Sequence, residues 1–105
     1  MKYKNFATLD DVEERYLREH PDEVDTYLRM TFETFAEDAD ISVLLATLRV
    51  IVKVKGMGET ADHIGMSRQG LQKALSPKGN PTVSTFNKVL NSFGYRLSIE
   101  KLAGD

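Results

Sequence analysis

The sequence predicts a mainly α-helical fold that ends in one short β-strand. Apolar residues recur every three or four positions through most of the chain, which is the spacing of one helix face. Proline and glycine interrupt this spacing at several places, and after Gly94 the apolar residues alternate with polar ones instead. The 105 residues give room for one small domain. We therefore expect residues 1–105 to form a single, mainly helical domain.

Composition narrows the functional classes. Hydrophobic residues make up 41% of the chain and charged residues 29%, which is typical of a globular protein. The chain has no cysteine, and its two histidines are 43 positions apart, so we expect no metal centre and no cofactor. No apolar run approaches the roughly 18 residues of a membrane span, and the first residues lack the apolar core of a signal peptide. A cytoplasmic location is the expectation.

Two helices are predicted in the first 40 residues. Thr8 and Asp11 have the spacing of a capping box, which places a helix start at Thr8. This helix should end before His20, because a residue that precedes proline is disfavoured in the helical conformation. A longer helix is expected from Pro21, since proline suits a first helical turn. Its apolar face is Val24, Leu28, Phe32, Phe35 and Ala39.

A β-branched run over residues 41–55 is compatible with a buried strand or a buried helix. We predict a helix, because fifteen residues is long for a strand and Gly56 is a suitable C-terminal cap. Three short helices should follow. They are expected to begin at Glu59, at Arg68 and at Val83, the last one capped by Thr82 or Ser84, with its apolar side formed by Val83, Phe86, Val89, Leu90 and Phe93.

The predicted β-strand covers residues 95–101. Tyr95, Leu97 and Ile99 alternate with polar residues, as in a half-buried strand. A single strand needs a partner. The two candidates are the segment 2–6 of the same chain and the same strand of a second subunit, and the sequence does not decide between them.

Residues 57–75 carry the most informative pattern. Two short helices that cross at a three-residue turn need a small residue where their backbones approach, and Ala61 provides it. Gly65, four positions later, suits a turn that requires a positive φ. Apolar residues stand at the inward positions of both helices. Together these features predict a helix-turn-helix, with a DNA-binding core over residues 41–94.

The second helix of this motif would present a polar face to the major groove. With Ser67 as its N-cap and Leu71 buried, the outward side chains include an arginine and two glutamines, which pair with the edges of guanine and adenine. The lysines and Ser67 suit phosphates. Gly70 is unfavourable in a helix by about 1 kcal/mol. The predicted DNA-binding residues are Ser67, Arg68, Gln69, Gln72, Lys73 and Lys78.

Charge divides the chain into two parts. Residues 1–40 carry twelve acids and five bases, a net charge of −7, and residues 41–105 carry four acids and nine bases, a net charge of +5. A basic surface suits DNA, whereas an acidic one suits a cationic protein. The alternative is that the acids only line solvated helix faces.

Further motifs extend across most of the chain. A Gly-Asn-Pro turn follows an Ala-Leu-Ser helix end, and a Gly-Tyr-Arg-Leu segment follows the last helix. The main set is Leu48-Arg49, Lys55-Gly56-Met57, Ala61, Ile64-Gly65-Met66-Ser67-Arg68, Leu71, Lys73-Ala74-Leu75-Ser76, Gly79-Asn80-Pro81 and Phe93-Gly94-Tyr95-Arg96-Leu97, with Tyr27-Leu28 and Phe35-Ala36 upstream.

With these residues the chain, from about Asp10 to Glu100, resembles the HigA-like addiction-module antidote (antitoxin) family, whose DNA-binding domain is similar to lambda-type repressors. The resemblance implies a small dimeric antitoxin of a type II toxin-antitoxin module. Such a protein neutralises a RelE/HigB-like toxin and represses transcription of its own operon. The chain departs from the family pattern at Gly58, where a larger polar residue is expected, and at Gln72, where an aromatic one is expected.

The resemblance and the charge distribution together predict where a toxin binds. A toxin that acts on RNA must be cationic, so a carboxylate-rich surface suits it. The acidic N-terminal part, residues 1–40, is therefore the predicted partner-binding part. Its predicted contact residues are Asp22, Glu23, Asp25, Glu33 and Glu37, with Tyr27 as an exposed aromatic anchor.

Three alternatives compete with this hypothesis. An enzyme is disfavoured, because His20 and His63 are expected to be surface or capping residues and nothing desolvates the paired acids. A stand-alone phage-type repressor would lack a toxin partner. A protein-interaction module would keep a degenerate helix-turn-helix without DNA binding. The predicted dimer contact is the helix of residues 83–93, joined by the C-terminal strand if that strand pairs with a second subunit and not with residues 2–6.

Overall fold

The computed structural model describes residues 8–103 and contains six α-helices in that range. None of the helices in this range is long and apolar enough to cross a membrane. A short 3₁₀ turn, Pro21–Glu23, precedes the second helix. The helices are α1 (Leu9–Glu19), α2 (Val24–Asp38), α3 (Ile41–Lys55), α4 (Met57–Ile64), α5 (Arg68–Ala74) and α6 (Val83–Ser92).

The beginning and end of α1 confirm the sequence prediction. The Asp11 backbone N–H donates to the Thr8 hydroxyl at 3.1 Å, and the Thr8 N–H donates to the Asp11 carboxylate at 3.0 Å, which completes a capping box. At the other end, the N–H of His20 donates to the carbonyl of Tyr16 at 2.9 Å. His20 thus caps α1, as expected for a residue before proline. The segment after Pro21 begins as a 3₁₀ turn before it becomes α2.

Helix α3 forms the centre of the core. The segment that was compatible with strand or helix is a helix over the whole predicted range. It begins at the N-cap Asp40, whose carboxylate accepts the backbone N–H of Ser42. Its first turn is exposed, but the predicted apolar stripe behind it is completely buried. That stripe is Leu44, Leu48, Ile51 and Val52, each at most 2% exposed.

Gly56 joins α3 directly to α4. Its φ of 109° is accessible to glycine and costly for other residues. Its N–H donates to the Val52 carbonyl at 2.8 Å, and its carbonyl accepts the N–H of Thr60 at 3.0 Å. One residue therefore ends the first helix and begins the second. This is why α4 begins at Met57, two residues before the predicted start.

The predicted C-terminal strand is wrong. No β-strand is present in residues 8–103, and the chain after α6 is irregular. Instead of joining a sheet, the N–H of Tyr95 donates to the Leu90 carbonyl at 2.9 Å, and the N–H of Leu97 donates to the side-chain oxygen of Asn87 at 2.9 Å. Helix α6 therefore satisfies the groups that a neighbouring strand would need. The proposed partner segment, residues 2–6, lies outside the described residues.

The apolar side of α6 is also narrower than predicted. Phe86, Val89 and Leu90 are buried, but Val83 is 76% exposed at the first position of the helix. Thr82 is the N-cap, since its hydroxyl accepts the N–H of Thr85 at 3.0 Å. The helix ends at Ser92, and Gly94 follows with a φ of 92°.

Candidate nucleic-acid interface

Helices α4 and α5 are joined by a turn of three residues. Ala61 is fully buried on α4, which allows the two helices to pack closely. Gly65 adopts a φ of 76°, the left-handed conformation that the sequence predicted there. The N–H of Met66 then donates to the Ala61 carbonyl at 2.9 Å. The turn is therefore fixed by one glycine and by a backbone hydrogen bond that returns to α4.

Ser67 begins α5 as predicted. Its side-chain oxygen accepts the backbone N–H of Gly70 at 2.9 Å. A Cβ atom on Gly70 would lie 2.9 Å from that same oxygen, which is closer than real Cβ contacts allow. The glycine that lowers the helix propensity of α5 thus leaves room for the hydroxyl that caps it.

Burial orients α5. Leu71 and Leu75 are fully buried, so the opposite side of the helix faces solvent. Among residues 8–103, none of the cations on this side or in the following loop forms an ion pair. Their charges are therefore not neutralised by carboxylates of the described chain. All six predicted DNA-binding residues are exposed: Ser67, Arg68, Gln69, Gln72, Lys73 and Lys78.

The loop that carries Lys78 folds back onto the end of α5. The hydroxyl of Ser76 donates to the Lys73 carbonyl at 2.8 Å, and the N–H of Gly79 donates to the Ser76 carbonyl at 2.8 Å. These bonds hold the loop against the helix terminus. Lys78 therefore lies in a loop that begins at the end of α5, and its side chain is exposed.

Arg49 connects this region to the N-terminal helix, a role that its position in the sequence did not predict. Its Nε donates to the Asp10 carboxylate at 2.6 Å, and its Nη1 donates to the Leu75 carbonyl at 2.6 Å. Both side chains of the ion pair are mostly buried, with 17% and 21% exposed. A polar residue at an inward position of the buried α3 was the available signal. One guanidinium thus links α1, α3 and the end of α5.

The predicted partner-binding residues lie on α2 and in the 3₁₀ turn that precedes it. Asp22, Glu33 and Glu37 are exposed, and Asp25 is exposed with a 3.2 Å ion pair to Arg29. Glu23 is half-buried, and its two carboxylate oxygens accept the hydroxyl of Tyr16 at 2.9 Å.

Tyr27 is half-buried and packs against the core, so its predicted exposure is wrong. Burial raises the pKa of its hydroxyl, and the adjacent Glu13 carboxylate raises that pKa further. The hydroxyl lies among α1, α2 and α3 because α2 turns its apolar face, which includes Leu28, towards the core. A hydrophobic residue in an acidic helix was read from sequence as exposed, although its position on the helix matches the buried face.

A shallow depression of about 180 Å³ lies between α3, α4 and α6, and its wall is mostly polar. Ser92 is on its wall, but its hydroxyl donates to the Val89 carbonyl at 2.6 Å. His63 is exposed there, next to the end of α4 as the sequence predicted. The wall is formed by Lys55, Glu59, Thr60, His63 and Ser92.

The geometry defines a small, mainly helical protein with two short helices across a tight turn, an exposed polar helix α5 and an acidic N-terminal helix pair. A family model described as "probable addiction module antidote protein" matches residues 7–101. The chain therefore belongs to the addiction module antidote family. An antidote counteracts a toxin, so membership implies a toxin partner in general.

A protein of Haemophilus influenzae is similar to this chain. The two are 35% identical over 80 residues, which cover 76% of this chain and 78% of the relative. That relative is described as an uncharacterised protein. No solved structure gives a significant match.

Proposed function

We propose that this antidote is a HigA-like antitoxin that represses its own operon through a lambda-repressor-like helix-turn-helix formed by α4 and α5. The single observation that supports this most is the outward face of α5. It combines cations that form no ion pair within residues 8–103 with two exposed glutamines on a helix whose other side is buried. Such a face suits a major groove, since arginine and glutamine are the side chains that read guanine and adenine.

Each residue of this face has a role in the proposal. Arg68 and Gln69 stand in the first turn of α5, where a recognition helix contacts base edges. Gln72 stands one turn further along. Lys73 and Lys78 lie near the other end of α5 and contact phosphates. Ser67, whose oxygen already accepts the Gly70 N–H, retains its hydroxyl hydrogen to donate to a phosphate.

The operator in this proposal is an inverted repeat. Two copies of one motif, related by a two-fold axis, bind half-sites about one helical turn apart. The protein therefore acts as a homodimer in the cytoplasm, where its operator and its toxin are both accessible. Val83, exposed at the start of α6, is an apolar side chain that a second copy would cover. Light scattering of the purified protein measures this state directly.

The toxin in this proposal is a small cationic RNA-binding protein of the RelE/HigB type. Residues 8–40 carry all twelve acids of the N-terminal part and only three bases, a net charge of −9. Asp22, Asp25, Glu33 and Glu37 are exposed around α2 and attract such a partner. Glu23 and the half-buried Tyr27 complete the set that the sequence predicted.

Co-expression tests both activities in one strain. The product of the neighbouring open reading frame is expressed alone or with this protein, and a reporter follows the promoter upstream of the pair. We expect the neighbour alone to arrest growth, and this protein to restore growth and lower reporter activity. Growth arrest that persists would contradict the toxin pairing, and an unchanged reporter would contradict repression. A lone repressor would lower the reporter without affecting growth.

A further inference from the structure

Helix α1 carries an exposed apolar stripe, and its charged residues are five acids and two arginines. Leu9, Val12 and Tyr16 are 73%, 50% and 46% exposed, and they are spaced three and four positions apart. This spacing places them on one face of the helix. The buried side of α1 is different, because Leu17 points into the core and Asp10 bonds to Arg49. We call Leu9, Val12 and Tyr16 the α1 stripe.

Tyr16, the last member of the α1 stripe, is held in place by two neighbours. Its ring stacks on His20 with centroids 4.2 Å apart and an angle of 21° between the planes. Its hydroxyl donates to both carboxylate oxygens of Glu23 at 2.9 Å. The His20 Nδ1 lies 2.8 Å from the Tyr16 carbonyl, which only accepts, so Nδ1 carries the hydrogen. An exposed aromatic ring that is already ordered loses little conformational entropy when a partner covers it.

Charge near the α1 stripe selects the partner. Glu19 is one turn after Tyr16. The Glu23 carboxylate, which accepts the Tyr16 hydroxyl, raises the pKa of that hydroxyl, and the charge of Asp22 raises it further. A second copy of this chain would bring an equally acidic surface, since residues 8–40 carry a net charge of −9. Like charges disfavour that pairing, whereas a cationic protein with an apolar groove suits both the stripe and the carboxylates.

We propose that the α1 stripe is the apolar centre of the toxin-binding surface, with Tyr16 as its aromatic anchor. This inference rests on the proposed function and makes it more specific. Leu9, Val12 and Tyr16 enter an apolar groove of the cationic toxin as one helix face. The carboxylates of Glu19, Asp22 and Glu23, which lie near Tyr16, flank this contact and steer the encounter. Aromatic residues at the centre of an interface dominate its affinity, whereas charges at the rim mainly set the association rate.

The test measures binding of purified variants to the immobilised product of the neighbouring open reading frame. Tyr16→Ala should weaken binding by about 30-fold or more, as expected for a central aromatic residue. Tyr16→Phe keeps the ring and should bind within about threefold of the wild type. Val12→Ala should weaken binding by about fivefold. The matched control is Val43→Ala on α3, because Val43 is 48% exposed and Val12 is 50% exposed. This control should bind like the wild type.

Three results would overturn the inference. If the wild type binds and both Val12→Ala and Tyr16→Ala bind as tightly as the wild type, the toxin docks elsewhere and only this inference fails. If the wild type does not bind at all, the proposed toxin pairing fails, and the inference fails with it. If Val12→Ala lowers the melting temperature of the free protein, or changes its oligomeric state by light scattering, the stripe is covered by its own chain or by a second copy. Unchanged stability with weaker binding supports the proposal.

Discussion

A Cβ atom on Gly79 would lie 2.0 Å from the carbonyl oxygen of Ala74, the last residue of α5. No side chain larger than hydrogen fits at that distance. The loop after α5 therefore approaches the helix terminus more closely than any other residue type would allow. Because Lys78 precedes Gly79 directly, this contact also fixes where that lysine stands relative to the face of α5.

We expect Gly79→Ala to destabilise the protein by about 2 kcal/mol, since the added methyl group must displace backbone atoms. Gly58→Ala is the control. Gly58 lies inside α4, and a Cβ atom there meets nothing within 4 Å, so alanine should stabilise the helix by up to about 1 kcal/mol. Urea unfolding followed by circular dichroism measures both changes. Equal effects of the two substitutions would contradict this account of the loop.

The mostly buried ion pair of Arg49 should contribute more to the free energy of unfolding than the exposed ion pair of Arg29. Arg49→Ala leaves the Asp10 carboxylate and the Leu75 carbonyl without their charged donor in a mostly buried place, which should cost about 2 kcal/mol. Arg29→Ala removes a partner of Asp25 from an exposed pair, with 67% and 55% of the side chains accessible, and should cost less than about 0.5 kcal/mol. Both unfolding free energies come from denaturant titration. A loss of equal size in the two variants would show that the Arg49 link does not stabilise the fold.

The cap of α5 predicts non-additive effects. Gly70→Ala alone should give little or no stabilisation, because the new Cβ lies 2.9 Å from the Ser67 oxygen. Ser67→Ala alone should cost about 1 kcal/mol through loss of the cap. In the Ser67→Ala background the conflict is absent, so Gly70→Ala should stabilise by about 1 kcal/mol. A thermal-unfolding double-mutant cycle measures the difference, and purely additive values would refute the steric account of Gly70.

The local features of this fold were predictable, and the long-range ones were not. The capping box at Thr8, the turn at Gly65 and the cap at Ser67 depend on neighbours within four residues, and all three are confirmed. The strand after Gly94 failed, because alternation shows which side chains face the core but not which backbone groups are available for pairing. Here Leu90 and Asn87 provide those partners.

In the candidate site, too, the features set by neighbouring residues were predictable and the long-range contacts were not. The exposure of the α5 face follows from the buried position of Leu71, which periodicity reveals. An inward arginine on the apolar α3 was a visible signal, but its partner Leu75 is 26 positions away and could not be named from the sequence. The exposure predicted for Tyr27 is wrong because the acidic composition of α2 outweighed helical spacing, which places Tyr27 three residues after the buried Val24 and on the same face.

The carboxylates of Asp11 and Asp40, at the beginnings of α1 and α3, should make the stability of the fold depend on pH. The pKa of Asp11 lies below its ordinary value of 3.8 because the carboxylate accepts the Thr8 backbone N–H. The pKa of Asp40 is also lowered, because its carboxylate accepts the hydroxyl and the N–H of Ser42. A lowered folded-state pKa gives stability that is complete above the unfolded value and is lost as pH falls through the folded value.

The melting temperature should therefore decrease as the pH is lowered below about 4. The double variant Asp11→Asn, Asp40→Asn keeps oxygen acceptors at both caps but does not titrate. We expect it to be close to the wild type at pH 7 and to lose less stability between pH 4 and pH 2.5. Parallel curves for the two proteins across this range would mean that these caps do not contribute to the acid response.

The most direct test of the central claim, that α5 reads an operator, is a mobility-shift titration on duplex DNA from upstream of the gene. Wild-type protein should bind an inverted repeat there, with affinity that falls steeply as salt rises. Arg68→Ala and Gln69→Ala should each reduce the preference for the operator over scrambled DNA by about 5- to 150-fold, the equivalent of about 1–3 kcal/mol per bidentate base contact. Lys73→Ala should weaken binding to both DNAs alike and reduce the salt dependence. Undiminished operator preference in both the Arg68 and Gln69 variants would contradict the account.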